Sequence, residues 1–213
     1  GRKRLRGAEH RVMPDRIEAG TFAIAAGVTG GHVVLEGADC DSMTAFVDVL
    51  GRTGLGVSCG AGRMEIDARS VGPGGLHPVD VETGAYPGFA TDLQPPTSVL
   101  LTQGSGRSRV RETIFEDRLE WLSELRKMNA RIELKGTHEA WIDGPSALKA
   151  ASVEISDLRA GASLILAALA AEGTSSIGGA HHVQRGYENI ERKFLDLGAR
   201  IERVQEGELA TTA

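Results

Sequence analysis

The chain has 213 residues and a formal net charge of −5, with 41% hydrophobic and 25% charged residues. That length and balance suit a soluble globular protein able to bury a sizeable core. Mild acidity gives no electrostatic reason to expect a nucleic-acid backbone as partner, aromatic residues at 4% are too few for a base-stacking platform, and no apolar run reaches the roughly 20 residues of a membrane span.

The opening GRKRLRGAEHR is locally basic and reads as a solvated tail or an exposed strand edge. It is charged with no apolar stretch directly after it, so no signal peptide is expected. From Asp15 an apolar helix is predicted, followed by a Gly turn and the β-rich GGHVVLEGA at 30–38. A second helix, DSMTAFVDVLGRTG, and two short strands, LGVSC and RMEIDA, complete this first unit. Cys40 and Cys59 lack metal-ligand spacing, and two free thiols in a cytoplasmic chain are expected, a disulfide between them being the alternative.

SVGPGGLHPVD at 70–80 is a Pro/Gly-rich connection to a second unit. TGAYPGFAT reads as an irregular loop with room for a ligand, and Asp92 then opens a helix whose second turn holds Pro95 and Pro96. SGRSRVRETI is the strand, and EDRLEWLSELRKMNA the second helix, with Leu119, Leu122, Leu125 and Met128 at helical spacing. ARIELKG and EAWIDG are its strands. DGPSALKAAS at 143–152 leads to a third unit, in which Asp157 opens a helix. Its apolar run at 160–171 is interrupted by Gly161 and Ser163 and fits a core helix. EGTSSIGGA, the helix QRGYENIERKFLDLGA and a last strand ARIERV follow.

The three units, at about 15–75, 85–145 and 155–205, thus repeat one α-β-α-β-β pattern. One such unit has a single apolar face and cannot be stable alone. The expected fold is one α/β domain of three repeats about a pseudo-threefold axis, with the first helices buried together and the amphipathic second helices covering the outside.

By residue type Asp15, Asp92 and Asp157 read as N-caps, accepting hydrogen bonds from the first free N–H groups. The repeat adds a second reading. Three equivalent helices would emerge at one end of the domain and make an anion site of their positive ends. Arg16, Arg118, Arg159 and Arg185 lie near those ends; each alone reads as a surface ion pair, and together they form a rim for a substrate with several negative groups. An aspartate among them stays ionised and can take a proton from a substrate hydroxyl. Asp92 is the candidate.

The stretches MPDRIEAGTF, FATDLQ with ETIFEDR, and SDLRAGASLILA with HHVQRGYENIERKFLDLGARIERV resemble the UDP-N-acetylglucosamine enolpyruvyl transferases over essentially the whole chain. EPSP synthases share the fold with more distant wording. The resemblance implies a two-domain enzyme, each domain an inside-out α/β barrel of three repeats, with the active site between them. This chain corresponds to the C-terminal half. The family's Lys-Asn pair and Cys-bearing loop belong to the other domain, so Cys40 and Cys59 inherit no role. The implied reaction transfers enolpyruvate from phosphoenolpyruvate to the 3-hydroxyl of UDP-N-acetylglucosamine, the first committed step of peptidoglycan precursor synthesis in the bacterial cytoplasm. It implies neither metal nor organic cofactor, and an isolated half that is inactive until the other domain is supplied.

By the same resemblance Asp92 is the base toward the sugar hydroxyl, and the backbone of Ile114 touches the nucleotide sugar. Glu116 and Arg118 are site walls, and Arg118 holds the phosphoenolpyruvate end with Arg185. Asp157 and Arg159 are a pair near the reacting centre, Asp157 placed to handle a proton at the enol carbon, and Arg16 supports the cleft. Departures are Gln184 and Asp117 where the family has Asp and Asn, Tyr86 and Ala90 where it has His and Pro, and the extra charge of Arg111. They leave open a related nucleotide-sugar acceptor. The rival class is a non-catalytic half that binds nucleotide sugar or depends on a partner.

Overall fold

Every long helix of this chain is apolar nearly all round, and that sets the architecture. In the computed structural model, which describes residues 4–72 and 74–204, α1 (Arg16–Thr29) starts the first unit. The Asp15 carboxylate caps it, accepting from the N–H groups of Ile17 and Glu18 at 2.8 and 3.1 Å. Gly30 ends it in the left-handed conformation, φ 67°, that glycine adopts at no steric cost. β1 (His32–Glu36), a 3-10 turn at Cys40–Met43, α2 (Thr44–Arg52), β2 (Gly56–Gly60) and β3 (Arg63–Asp67) follow. The antiparallel sheet runs β1-β3-β2, with Val33 opposite Ile66 and Leu35 opposite Met64.

The second unit opens with β4 (Val81–Glu82). A 3-10 turn at Thr91–Leu93 then leads into α3 (Gln94–Leu101), β5 (Gly106–Arg111), α4 (Leu122–Lys127), β6 (Arg131–Lys135) and β7 (Glu139–Gly144). Its sheet order, β4-β5-β7-β6, repeats β1-β3-β2 in β5-β7-β6 and adds β4 parallel to β5 through the α3 crossover. The third unit has β8 (Ser152–Glu154), α5 (Leu158–Ala170), β9 (Ser176–Gly178) parallel to β8, a 3-10 turn at Ala180–Arg185 and α6 (Ile190–Asp196).

α1, α3 and α5 pack on one another at the centre, and the sheets lie outside them. The approach of α1 to α3 is close: a Cβ on Gly27 would stand 2.9 Å from Leu100. On the outer faces of the sheets, charges pair in ladders. Arg107 bonds Asp143, Arg109 lies by Asp80 and Arg111 by Glu82, which gives the extra charge at 111 a structural partner.

Several expectations need correction. Cys40 and Cys59 are joined in a disulfide, not free, their Cα atoms 6.3 Å apart. The turn before α2 and the edge strand after it return to the same corner, a meeting that spacing alone does not reveal. Pro95 and Pro96 stand in the first turn of α3, not the second. The second helices of units two and three are shorter than predicted: residues 116–121 form turns, and Asn189, at φ 47°, precedes α6. β4 and β8 fall at the ends of stretches read as linkers; strands of two or three residues carry no periodicity to find.

Residues 199–204 repeat the ARIE of 130–133 but form no strand. β6 is held by β7, whereas residues 199–204 pair with no strand among the described residues. Residues 1–3 of the basic opening and residue 205, the expected end of the third unit, lie outside the described residues. Among the described residues no helix is long and apolar enough to cross a membrane.

Candidate active site

Two of the three helix-opening aspartates do what their residue type predicts. Asp157 caps α5, its Oδ1 accepting from the N–H groups of Arg159 and Ala160 at 2.8 and 3.0 Å. Asp15 caps α1. Asp92 does not cap: it sits in the 3-10 turn before α3, whose N-cap residue, Leu93, offers no side-chain hydrogen bond. Pro95 and Pro96 have no N–H, so the start of α3 has fewer donors to satisfy. The Asp92 carboxylate is left for other partners.

Those partners are arginines from two units. Arg118 Nη2 donates to Asp92 Oδ1 at 2.6 Å, and Arg159 Nη2 lies 3.3 Å from Oδ2. Asp92 is 37% exposed at its side chain, Arg118 22% and Arg159 15%, so the cluster is shielded on one side and open on the other. Both guanidinium groups also rest on aromatic rings, Arg118 over Phe115 at 5.0 Å and Arg159 over Tyr187 at 5.4 Å. Tyr187 is itself fixed. It is 1% exposed, and its hydroxyl shares a 2.8 Å hydrogen bond with Thr21 of α1. Burial pushes the Tyr187 hydroxyl above its ordinary range, against the opposing pull of Thr21 and Arg159. All three units therefore meet at Arg159: Asp92 comes from the second, Tyr187 from its own, and Thr21, through Tyr187, from the first. Among the described residues, one buried guanidinium nitrogen of Arg159, Nη1, has no hydrogen-bond partner.

The cluster faces an open cleft of about 450 Å³. Of the predicted site residues, Asp92, Glu116, Arg118, Asp157, Arg159 and Arg185 line it. Ile114 and Arg16 do not. Ile114 lies just before the lining residue Phe115 with its side chain exposed, and Arg16 stacks 5.8 Å over the exposed ring of Tyr86. The cleft also includes Phe115, Asp117 and His182, which sequence reasoning had not put there as site residues. His182 stacks on His181 with ring centroids 4.1 Å apart. A second depression of about 430 Å³, bordered by Glu18, Gln184, Tyr187, Glu188 and Asn189, holds none of the predicted site residues.

A further residue was missed: Glu112, fully buried behind the cleft wall, which takes hydrogen bonds from Thr83, Thr91 and the N–H groups of Ile114 and Phe115. Its only sequence signal is the in-out alternation of β5, which continues one residue past the strand. Among the described residues no group of three or more His, Cys, Asp or Glu side chains could hold a metal ion. Chemically, the cleft brings three arginines, Arg118, Arg159 and Arg185, together with the carboxylates of Asp92, Glu116, Asp117 and Asp157 and the imidazole of His182; Asp92 lies between two guanidinium groups, and Asp157 has one oxygen committed to a cap. Such a set suits an anionic substrate and transfer of a proton from a hydroxyl.

The sequence profile of EPSP synthase (3-phosphoshikimate 1-carboxyvinyltransferase) matches residues 1–194. The chain is 45% identical over 204 residues to the UDP-N-acetylglucosamine 1-carboxyvinyltransferase of Methylocella silvestris, an overlap of 96% of this chain and 47% of the relative. It is 44% identical, with the same coverage, to the protein of that name from Azorhizobium caulinodans. Among solved structures, the enolpyruvyl transferase NikO from Streptomyces tendae superposes with a TM-score of 0.82 at 29% identity, over 91% of this chain and 45% of that one. EPSP synthase from Acinetobacter baumannii, at 19% identity and a TM-score of 0.61 over 85% of this chain and 42% of that one, shares the fold. The chain spans about half the length of the curated relatives it matches.

Proposed function

The chain belongs to the EPSP synthase family, and on that footing we propose that it forms one wall of an enolpyruvyl transferase active site. The proposed reaction joins the 3-hydroxyl oxygen of UDP-N-acetylglucosamine to C2 of phosphoenolpyruvate. A proton adds to C3; phosphate then leaves C2 and a proton leaves C3, giving the enol ether. The observation that carries this reading is Asp92, released from capping and held between Arg118 and Arg159 at the mouth of a cleft.

In this reading Asp92, hydrogen-bonded by Arg118 and paired with Arg159, takes the proton of the attacking hydroxyl. Asp157 spends Oδ1 on the α5 cap, and its Oδ2 is the oxygen assigned to the proton at C3. Arg118 and Arg185 clamp the carboxylate and phosphate end of phosphoenolpyruvate. Glu116 lines the wall, the backbone of Ile114 meets the nucleotide sugar, and Arg16 supports the rim. A second domain, of the same polypeptide or a partner, closes the cleft, since the chain alone leaves it open; the chain by itself is then inactive. The mechanism invokes charge placement, a base and guanidinium clamps, with no metal or organic cofactor. Peptidoglycan precursor synthesis in a bacterial cytoplasm is the proposed setting.

A second reading is transfer to a related nucleotide-sugar acceptor. It is favoured by the departures from the family wording at Tyr86, Ala90, Asp117 and Gln184, of which Asp117 lines the cleft. The experiment supplies the protein carrying this chain, with its facing domain, with phosphoenolpyruvate and UDP-N-acetylglucosamine and measures phosphate release. Release that Asp92→Ala abolishes supports the main reading. Release only with another uridine diphosphate sugar supports the second. Binding of nucleotide sugar without release from any of them leaves a binding half and refutes both.

A further inference from the structure

We propose that Glu112 is a positioning residue: its buried carboxylate holds the two loops that carry Asp92 and Arg118 in one register. The residue follows β5, where Ser108 and Val110 point inward and Arg107, Arg109 and Arg111 outward, so alternation turns position 112 into the interior. It is 0% exposed. A carboxylate there is costly unless its lone pairs are met by donors. Glu112 meets four, all neutral. Oε1 accepts from Thr83 Oγ1 at 2.9 Å, Ile114 N at 2.8 Å and Phe115 N at 3.2 Å, and Oε2 accepts from Thr91 Oγ1 at 2.8 Å.

The four donors lie on both sides of the Asp92–Arg118 contact. Thr83 and Thr91 bracket the loop that ends beside Asp92. Ile114 and Phe115 begin the bend and turns, running to residue 121, that carry Arg118. Thr83 adds a second tie, its hydroxyl accepting from Thr113 N at 2.8 Å and its carbonyl from Thr113 Oγ1 at 2.6 Å. The β4–β5 ladder reaches as far as Thr83 N, which donates to Arg111 O at 3.0 Å, and beyond it the carboxylate joins Thr91 to the N–H groups of Ile114 and Phe115. Only an acceptor with several lone pairs can serve four converging donors, which is why an apolar residue of equal size would not. Glutamine comes near: its amide oxygen can replace Oε1, and its NH₂ can donate to Thr91 once that hydroxyl rotates.

The proposal deepens the reading of the site given above and rests on it for the kinetic half of its test. The full protein carrying this chain is compared as wild type, Glu112→Gln, Glu112→Ala and Thr91→Val, the last deleting one donor should the alanine variant fail to fold. Amide hydrogen exchange at Ile114 and Phe115 is read first and needs no activity. Protection is expected to survive in the glutamine variant and to fall in the other two. Phosphate release is read second. The alanine variant is expected to lose about 10²-fold in kcat with KM changed less than about threefold, as misplacement of reacting groups does, and glutamine to restore most of it. Met64→Ala, a core truncation in the first unit's sheet, controls for lost stability. Unchanged exchange in Glu112→Ala, or in Thr91→Val where the alanine variant does not fold, overturns the proposal. So does a kcat loss no larger than that of Met64→Ala, or equal loss in the glutamine and alanine variants. If the wild type shows no turnover, the reaction reading fails while the exchange data still decide the role of Glu112.

Discussion

Arg159 joins Asp92 at 3.3 Å while its own backbone N–H is held by Asp157 at 2.8 Å, so one residue ties two carboxylates of the cleft together. The guanidinium belongs to the third unit and Asp92 to the second. The contact therefore exists only when the units are packed, and the predictions below turn on that packing.

Asp92→Asn keeps the shape of the side chain and removes its charge. Turnover of the full protein is expected to fall about 10²- to 10⁴-fold, the usual contribution of a positioned base. Stability should change by less than about 1 kcal/mol, because a partly exposed ion pair contributes little. Steady-state phosphate release and urea unfolding of the same preparation check both halves.

The three helix-opening aspartates should separate in a stability experiment. Asp15→Ala and Asp157→Ala each remove a cap that accepts two N–H groups and should cost about 1 kcal/mol. Asp92→Ala removes no cap and should cost less than either. Equal losses in all three, measured by chemical denaturation, would mean that Asp92 is a cap after all.

Tyr187 gives a pH dependence with a definite sign. Its folded pKa is raised above the ordinary 10.0, chiefly by burial. Below about pH 10 both folded and unfolded chains keep this proton and its contribution is complete; above that the unfolded chain releases it first, and stability declines until the folded pKa is passed. Tyr187→Phe should flatten this alkaline decline and cost about 1 kcal/mol near neutrality for the lost hydrogen bond to Thr21. Melting temperatures of both proteins from pH 7 to 11 test it.

Reduction of the Cys40–Cys59 disulfide should lower stability by about 3 kcal/mol, the chain-entropy estimate for residues 19 positions apart. Thermal unfolding with and without reductant, alongside thiol titration, measures this. Free thiols before any reductant is added would show that the pair is unbonded in solution, as a reducing compartment would make it.

How far the sequence could be read is clearest at particular residues. α1 and α5 were visible because an all-apolar helical stretch with an aspartate at its start is a local pattern, and the five- and six-residue strands were visible by alternation. Residues 199–204 carry the same alternation as β6 and still form no strand, since a strand exists only against a neighbour. Six of the proposed site residues line one cleft, whereas Arg16, at the start of α1, lies over Tyr86, and Ile114, next to the lining residue Phe115, has its side chain exposed. Glu112 is not marked by residue type, since an acidic residue at a strand end usually faces water.

The sequence by itself determined α1 and α5, most strands and two caps, because periodicity and capping are decided by residues a few positions apart. Only the tertiary structure decided that Asp92 would serve no helix, that Cys40 would meet Cys59, and that Glu112 would be buried among four donors. These depend on groups far apart along the chain, such as Thr21 and Tyr187 at 166 positions, whose meeting is fixed by how the three central helices pack and by no local pattern.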